Sequence, residues 1–467
     1  MSLWNKWIRL VNELASSCNR NRTFCWLVIA LIGFSIKSDY LGVTSVARGV
    51  GLLPNYYTCL LNFFNSSAIS LDSLLSLWIK LIFKHFDGRV ELNGRCLIVA
   101  DGIKIAKEGK KMPGVKWLHQ DSESNSKAEW IMGHSIQAIA ILVKGVKNYF
   151  AVPLTAKIHE GVRFSAKDNR SLLDKLFELL LEIKLPVLFY LVADRYYCSG
   201  RLMKQLLANN IHLITMMKKN AIAYYPVIKQ PKKRGRPKQY GEKLKLFSLF
   251  NTELEFTQAV MPNDTRIQIE YAVINLLWRP LGRIVQFVLV KHPEKGNGIA
   301  MTTDLSLAPL DVILGYSLRF KIEVLFKQAV HQIGTFMYRF WLKAMAPRKR
   351  GSGDYELQFA PSDFKEKIKN KLQAYHLFIQ LGFIAQGLMQ YLSIYHHKDV
   401  WKSFGSWLRT VRDDTLPSEK VVSMALSQTY TEFLVDNPNM SIVKKFILQR
   451  VDISKLVSGN LGERLAA

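Results

Sequence analysis

The sequence predicts an α/β protein whose central domain is interrupted by a β-rich insertion and flanked by helical regions. Two apolar runs, residues 96–100 and 187–193, have the length and composition of buried strands, and an aspartate follows each of them. Helical periodicity marks residues 171–183 and 316–327. Alternating Val, Ile and Phe residues between positions 244 and 291 predict the strands of the insertion.

The order of the central elements is more specific than the class. The predicted elements are, in order, a strand ending at Asp101, a polar loop (109–127), strands at 131–143 and 149–158, a helix at 171–183, a strand ending at Asp194, a helix at 199–208 and a strand at 211–216. A much later helix carries Glu323. Three strands, helix, strand, helix, strand and helix is the order of a ribonuclease-H-like domain.

Asp101, Asp194 and Glu323 occupy positions where a merely solvated carboxylate is hard to explain. Two of them end buried strands, and the third lies on a helix. Carboxylates are preferred ligands of Mg²⁺. Converging carboxylates can hold a pair of Mg²⁺ ions, which activates water or a hydroxyl and stabilises the leaving oxygen of a phosphodiester. The sequence therefore predicts a Mg²⁺ site made of these three residues, with Mn²⁺ as a substitute ion.

Four stretches resemble the DDE transposases of bacterial insertion sequences. They are LIVADGIKIAKEGKKMPG, MGHSIQAIAILVKG, YLVADRYYCSG and TTDLSLAPLDVILGYSLRFKIEVLFKQ. The resemblance implies DNA transposition, with Asp101, Asp194 and Glu323 as catalytic metal ligands that cleave at the element's ends and transfer the freed 3′-hydroxyl to target DNA. It also implies that Tyr316 and Arg319 contact phosphates or a displaced base, and that a homodimer binds double-stranded DNA of the ends and the target.

One position departs from the family pattern. Tyr316, Arg319 and Glu323 have the expected spacing, but Val330 stands where a lysine is expected. Lys327 follows Glu323 by one helical turn and shares its helical face. We therefore expect Lys327 to supply the missing charge.

The charge balance favours a nucleic-acid partner. The chain of 467 residues has 64 Lys and Arg against 37 Asp and Glu, a formal charge of +27. Such an excess disfavours acidic proteins and neutral metabolites as partners and favours a polyanion. A basic protein without a nucleic-acid partner is the alternative interpretation.

Cysteine usage and hydropathy predict the compartment. The five cysteines, at positions 18, 25, 59, 96 and 198, lack paired metal-ligand spacing and suggest reduced thiols. The apolar stretch 24–34 is too short to span a bilayer and predicts a core helix. We expect a cytoplasmic protein, associated with the nucleoid when bound to DNA, and no membrane partner.

Composition predicts four regions along the chain. Residues 1–90 are expected to form a helical DNA-end-binding domain, in which 43–64 predict either a helix-turn-helix or an ordinary helical hairpin. Glu323 follows Asp194 by 129 positions, more than one helix and one strand need, so 220–298 predict a β-rich insertion with strands at 244–250, 266–276 and 283–291. The catalytic domain would then comprise 91–219 and 299–345. Residues 346–467 predict a helical region that packs on the core, binds DNA ends or dimerises.

A basic cluster begins the insertion. Its members are Lys232, Lys233, Arg234, Arg236 and Lys238. The central Arg-Gly-Arg-Pro is the core of an AT-hook, an extended segment that enters an A·T-rich minor groove. A solvated basic loop that contacts phosphates without reading sequence is the equal alternative. Both interpretations predict DNA contacts.

Two further residues have structural alternatives. His134 precedes an apolar strand. This position favours a structural histidine in the core or at a strand edge over a residue near the metals. Asp304 matches a position common in these transposases, and it equally suits the approach to a helix.

Two other functions compete with transposition. One is a transposase-derived DNA-binding protein that has lost its chemistry, against which the intact Asp101, Asp194 and Glu323 argue. The other is a ribonuclease-H-like nuclease that cuts without strand transfer. Specific binding to inverted repeats beside the gene would separate a transposase from a general nuclease.

Overall fold

The computed structural model describes residues 2–120, 128–227, 238–405, 414–435 and 441–454. The chain divides into two compact units. The helix-rich unit comprises residues 1–88, 102–169 and 324–467, and the sheet-rich unit comprises residues 89–101 and 170–323.

The regular elements confirm the α/β class and the ribonuclease-H-like order. The strands are β1 (Glu91–Leu92), β2 (Arg95–Ala106), β3 (Lys116–His119), β4 (Trp130–Lys144), β5 (Tyr149–Ile158), β6 (Val162–Arg163), β7 (Phe189–Val192), β8 (His212–Met216), β9 (Ile222–Tyr224), β10 (Lys243–Lys245), β11 (Thr257–Met261), β12 (Asp264–Trp278), β13 (Arg283–His292), β14 (Gly296–Thr302) and β15 (Tyr355–Glu356). The helices are α1 (Leu3–Asn12), α2 (Asn21–Ile36), α3 (Val43–Gly49), α4 (Tyr57–Phe64), α5 (Leu71–His85), α6 (Leu172–Glu182), α7 (Gly200–Ala208), α8 (Pro309–Leu318), α9 (Lys321–Gln328), α10 (Ser362–Tyr395), α11 (His397–Ser403), α12 (Glu419–Gln428), α13 (Tyr430–Val435) and α14 (Ile442–Leu448).

The sheet-rich unit contains a parallel arrangement that the insertion extends. Strand β2 pairs in parallel with β7, and β7 pairs in parallel with β8. Strand β14 joins β8 antiparallel, and the sheet continues through β13 and β12. Leu97, Leu191 and Ile214 are fully buried in the parallel part, as expected for strands covered on both faces. The insertion is thus β-rich, as predicted, and it is part of the same sheet.

Two predicted segments differ from the structure. Residues 244–250 were expected as a strand, but only β10 precedes a 3₁₀ helix, Leu246–Asn251. Leu246 and Leu249 are its buried residues, and a spacing of three suits a 3₁₀ helix rather than an alternating strand. The polar loop 109–127 contains β3, which pairs antiparallel with β4. Strands β12 and β13 confirm the other two predicted strands of the insertion.

Two apolar helices form the core of the helix-rich unit. Residues Leu27 to Leu31 of α2 are entirely buried, which confirms the predicted core helix. Helix α10 has 34 residues and is long and apolar enough to cross a membrane, but its apolar window is 100% buried within the protein. The rings of Phe34 and Phe378 meet edge to face with centroids 4.8 Å apart. Helix α10 is therefore a core helix that packs on α2.

Side chains of two helices complete the hydrogen bonding of strand β5. Gln380 and Gln390 of α10 donate from Nε2 to the carbonyl oxygens of Leu154 and Ala151, at 2.9 and 3.2 Å. Trp78 of α5 donates to the carbonyl of Pro153 at 2.8 Å. An unpaired strand edge must otherwise be satisfied by water or by another chain. These contacts therefore fix β5 inside the helix-rich unit.

The N-terminal segment 43–64 is helical, as predicted. Helix α3 and helix α4 are separated by a short 3₁₀ turn, Pro54–Tyr56. Leu60, Phe63 and Phe64 of α4 are buried. DNA contact by these helices stays a prediction.

Candidate active site

Asp101 on β2 and Asp194, two residues after the end of β7, occupy equivalent positions along two neighbouring parallel strands. The register pairs Val99 with Val192, and each aspartate follows that pair by two residues. The carboxyl ends of parallel strands meet at one edge of a sheet, where ligands commonly bind. The sequence predicts that the strand ends at Asp101. This is wrong, because β2 extends to Ala106 and Asp101 lies inside it.

The third carboxylate comes from the start of α9. The sequence predicted one helix over residues 316–327, but a turn at Arg319 and Phe320 separates α8 from α9. The N–H groups of Ile322 and Glu323 donate to the carbonyls of Arg319 and Phe320, at 3.1 and 3.0 Å. Hydrogen bonds between residues three apart tighten the chain relative to an α-helix. Glu323 itself is exposed in the first turn of α9.

Arg319 joins two of the carboxylates. Its Nη1 is 3.3 Å from Oδ2 of Asp101, and its Nη2 is 2.5 Å from Oε1 of Glu323. The guanidinium side chain is only 16% exposed. Burial lowers the pKa of Arg319, but Tyr316, Glu323 and Asp101 outweigh burial, so the net pKa is raised. Arg319 is therefore a permanent cation between two acids.

Tyr316 reaches the remaining carboxylate. Its hydroxyl donates to Oδ1 of Asp194 at 3.4 Å, a long hydrogen bond. Burial raises the pKa of the Tyr316 phenol, the charge of Arg319 lowers it, and Asp194 raises it again. The net shift is upward, so the phenol keeps its proton at neutral pH and acts as a donor.

These contacts bring five of the predicted residues together: Asp101, Asp194, Tyr316, Arg319 and Glu323. Their carboxylate oxygens are the ligand type that Mg²⁺ prefers, so the donor set fits this ion. Among the described residues, no three His, Cys, Asp or Glu side chains are grouped closely enough to hold a metal directly. The structure instead places the positive charge of Arg319 between two of the acids.

Arg195 is a charged neighbour that the sequence reasoning missed. It follows Asp194 directly, its side chain is exposed, and its charge is the smallest of the contributions to the pKa of Tyr316, which burial raises overall. An exposed guanidinium next to Asp194 can hydrogen-bond a phosphate oxygen. Its position immediately after a strand-end aspartate was the available signal.

The remaining predicted residues lie elsewhere. Lys327 is exposed on α9, one turn after Glu323, and Val330 follows in a short π-helical segment. Lys238 is exposed. Lys232, Lys233, Arg234 and Arg236 lie outside the described residues, so their DNA contacts stay predictions.

His134 is a core histidine, as expected. It is fully buried, its Nδ1 lies 2.7 Å from the Tyr338 hydroxyl, and its Nε2 lies 2.9 Å from the Pro113 carbonyl oxygen. Burial, reinforced by the charge of Lys107, lowers the pKa of His134 to about 3. The ring is therefore neutral at physiological pH.

Asp304 has a structural role before α8. Tyr190 donates to its Oδ2 at 2.5 Å, and the Ser306 hydroxyl and N–H donate to its Oδ1 at 2.7 and 2.9 Å. Burial raises the pKa of Asp304, but the Ser306 and Tyr190 hydrogen bonds outweigh burial and lower it. These contacts support the interpretation of Asp304 as a residue that shapes the approach to helix α8.

We expect acid to destabilise the fold through His134. The pKa of His134 is about 3 in the folded protein, and its ordinary value of 6.5 applies to the unfolded chain. Between pH 3 and pH 6.5 the unfolded chain therefore binds more protons than the folded protein. Stability that is fully present above about pH 6.5 is lost as the pH falls towards 3. His134→Gln should weaken this dependence, measured as the free energy of unfolding in urea at about pH 7 and about pH 4. The exposed His331 supplies the control, since His331→Gln should retain the wild-type dependence; an equal dependence in both variants would contradict this assignment.

The family model of the DDE superfamily endonucleases matches residues 13–270, more than half of the chain. The chain belongs to the DDE endonuclease superfamily. The matched region contains Asp101 and Asp194 and ends before Glu323.

One solved structure that resembles the chain is the piggyBac transposase synaptic complex with hairpin DNA, determined by cryo-electron microscopy. The sequences are 12% identical, the TM-score is 0.35, and the similarity covers 96% of this chain and 82% of that chain. No curated protein sequence matches this DDE endonuclease. The match of residues 13–270 to the family model is therefore the basis for placing the chain in this superfamily.

Proposed function

We propose that this DDE endonuclease is a DNA transposase that cleaves at the ends of an insertion sequence and transfers the freed 3′-hydroxyl to target DNA. The observation that carries the proposal is a set of contacts in which Arg319 joins Asp101 to Glu323 and the Tyr316 hydroxyl donates to Asp194. A formal charge of +27 supports a DNA partner. We propose that it acts in the cytoplasm as a homodimer on DNA.

Each residue of the site has a distinct task in this proposal. Asp101, Asp194 and Glu323 would hold Mg²⁺, or Mn²⁺ in its place, which when bound activates the attacking oxygen and stabilises the leaving oxygen. Arg319 exchanges one of its carboxylate contacts for a phosphate oxygen and so orients the strand. Tyr316 keeps Asp194 in place by donating its phenolic proton.

Basic residues outside these contacts would bind the DNA backbone. Arg195 is exposed beside Asp194, and Lys327 is exposed one turn after Glu323. We propose that Lys327 replaces the family lysine absent at Val330. Lys238 and the preceding basic cluster would hold the duplex through phosphates or the minor groove.

The proposal is tested with the purified full-length protein, Mg²⁺, a target plasmid and a donor plasmid carrying the DNA that flanks the gene. We expect cuts at the flanking repeats and joining of the 3′ ends to the target, both mapped by sequencing. A donor with scrambled repeats is the control. Cleavage without preference for the repeats would instead indicate a nuclease, and binding without cleavage would indicate a DNA-binding protein that has lost catalysis.

A further inference from the structure

A cavity of about 430 Å³ opens on the helix-rich unit, among residues that the catalytic proposal does not use. Its lining includes Lys107, Lys110, Trp117, Trp130, Arg348 and Arg350. Cavities of this size accommodate a small organic ligand or a single nucleotide unit. Its lining combines aromatic rings with several cations, and Glu108 is the acidic residue among the described lining side chains.

Two tryptophans form an aromatic platform along this cavity. Trp117 on β3 and Trp130 on β4 stack nearly in parallel, with an interplanar angle of 7° and centroids 5.9 Å apart. They are diagonal neighbours, because His119 pairs with Trp130 and Trp117 pairs with Met132. Trp130 is 42% exposed. A large aromatic ring that keeps so much of its surface in water can stack a planar ligand.

Cations line the same cavity as this platform. The guanidinium carbon of Arg350 lies 5.2 Å from the centre of the Trp117 ring, and that of Arg348 lies 5.2 Å from the Tyr355 ring. Neither arginine, nor Lys110, forms an ion pair with an acidic residue in the described part of the chain. The buried Nε of Arg348 also lacks a hydrogen-bond partner there, whereas its Nη2 donates to the Gly353 carbonyl oxygen. These groups can therefore receive an anion without first breaking an ion pair.

Lys107 belongs to the scaffold and not to this set. Its ammonium donates to the carbonyls of Phe336 and Tyr338 and lies 3.7 Å from the centre of the Tyr338 ring. The charge of Lys107 is thus directed into the core. Lys110, Arg348 and Arg350 are the other cations that line the cavity.

The platform and the arginines are held together by backbone hydrogen bonds. The N–H of Trp117 donates to the carbonyl of Ser352 at 2.8 Å, and the N–H of Arg348 donates to that of Lys110 at 2.7 Å. Lys116 adds ion pairs to Glu160 and Asp354 at 3.2 and 3.1 Å. The cavity is therefore built before any ligand arrives, which reduces the entropy cost of binding.

We propose that this cavity binds an unpaired base of a DNA strand, stacked on the Trp117–Trp130 platform, with the adjoining phosphate held by Arg348 and Arg350. An aromatic surface selects a planar heterocycle, and the cations select a ligand with negative charge. Base–aromatic stacking tolerates all four bases, because each has a π-face. This inference rests on the proposed DNA function, yet it concerns strand binding and not cleavage.

The test compares two fluorescent duplexes that share a short single-stranded extension, one with bases and one with abasic sites in the extension. Binding is measured by anisotropy in metal-free buffer with the Glu323→Gln protein, so that cleavage plays no part. We expect the base-bearing duplex to bind about tenfold more tightly. Trp130→Ala should abolish that preference, and Trp130→Phe should restore part of it because a ring is retained.

Two matched variants separate stacking from charge. Phe359 is an aromatic residue that is 92% exposed and does not line the cavity, so Phe359→Ala should keep the preference. Arg350→Ala should weaken both duplexes and reduce the salt dependence of binding. An equal affinity of wild type for both duplexes, or a preference unchanged in Trp130→Ala, would overturn the proposal.

Free nucleotide is distinguished from a DNA strand in the same assay. We expect dAMP to compete only weakly, because it lacks the neighbouring phosphates of a strand. Complete competition by dAMP at the concentration of the DNA would mark a free-nucleotide site and refute strand binding. The protein could prefer the base-bearing duplex through Trp130 and yet cut no plasmid. That result would contradict the proposed transposition and leave the proposed base-binding cavity in place.

Discussion

Asp101→Asn, Asp194→Asn and Glu323→Gln are each expected to lower strand cleavage in Mg²⁺ by about a thousandfold or more. Each amide keeps the shape of the side chain but loses the negative charge that a divalent cation requires. Metal ions contribute several kcal/mol of transition-state stabilisation, and about 1.4 kcal/mol corresponds to a tenfold change in rate. Single-turnover cleavage of a labelled end substrate provides the measurement.

Binding of the same DNA should persist in these three variants, since the basic surface is unchanged. Glu253 is exposed in the same compact unit, and Glu253→Gln makes the same chemical change away from the site. That control should cleave at the wild-type rate. Near-normal cleavage by any of the three site variants would show that the acid in question does not bind the catalytic metal.

Arg319→Ala is expected to separate metal affinity from catalysis. The guanidinium compensates Asp101 and Glu323 in the structure, so its removal should let a cation bind about tenfold more tightly. Cleavage at saturating Mg²⁺ should nevertheless fall by about a hundredfold, because a preorganised contact to the phosphate is lost. Terbium luminescence measures the affinity, and single-turnover cleavage measures the rate.

Arg319→Lys should fall between alanine and wild type, because it keeps the charge without the two-pronged geometry. Arg283→Ala provides a matched loss of charge at an exposed position in the same unit, and it should change neither quantity. Weaker terbium binding in Arg319→Ala would contradict a competition between guanidinium and metal.

The sequence predicted the elements that repeat a strong local pattern. The apolar run before Asp194 and the periodic helix α6 are specified by neighbouring residues alone, so their positions were predicted well. The proximity of Asp101 and Asp194 was also predictable, because both follow apolar runs that form neighbouring parallel strands. The roles of these acids stay predictions until cleavage is measured.

Other features depend on contacts that local pattern does not contain. The turn at Arg319 interrupts a segment with good helical periodicity, and Arg319 there contacts Asp101, which lies 218 residues away in sequence. Strand β3 has four residues, too few to establish alternation, and it is defined by pairing with β4. The Trp117–Trp130 platform likewise exists only once that pairing forms.

The pairing of α2 with α10 has a consequence for biosynthesis. Helix α2 ends at Ile36 and α10 begins at Ser362, so a ribosome must add more than three hundred residues before the second helix exists. At about 5–20 residues per second, that interval is roughly 15 to 65 s. During this time the apolar surface of α2 lacks one of its two largest packing partners. The nascent chain is therefore expected to depend on a holding chaperone, and fragments that stop before α10 should accumulate in inclusion bodies.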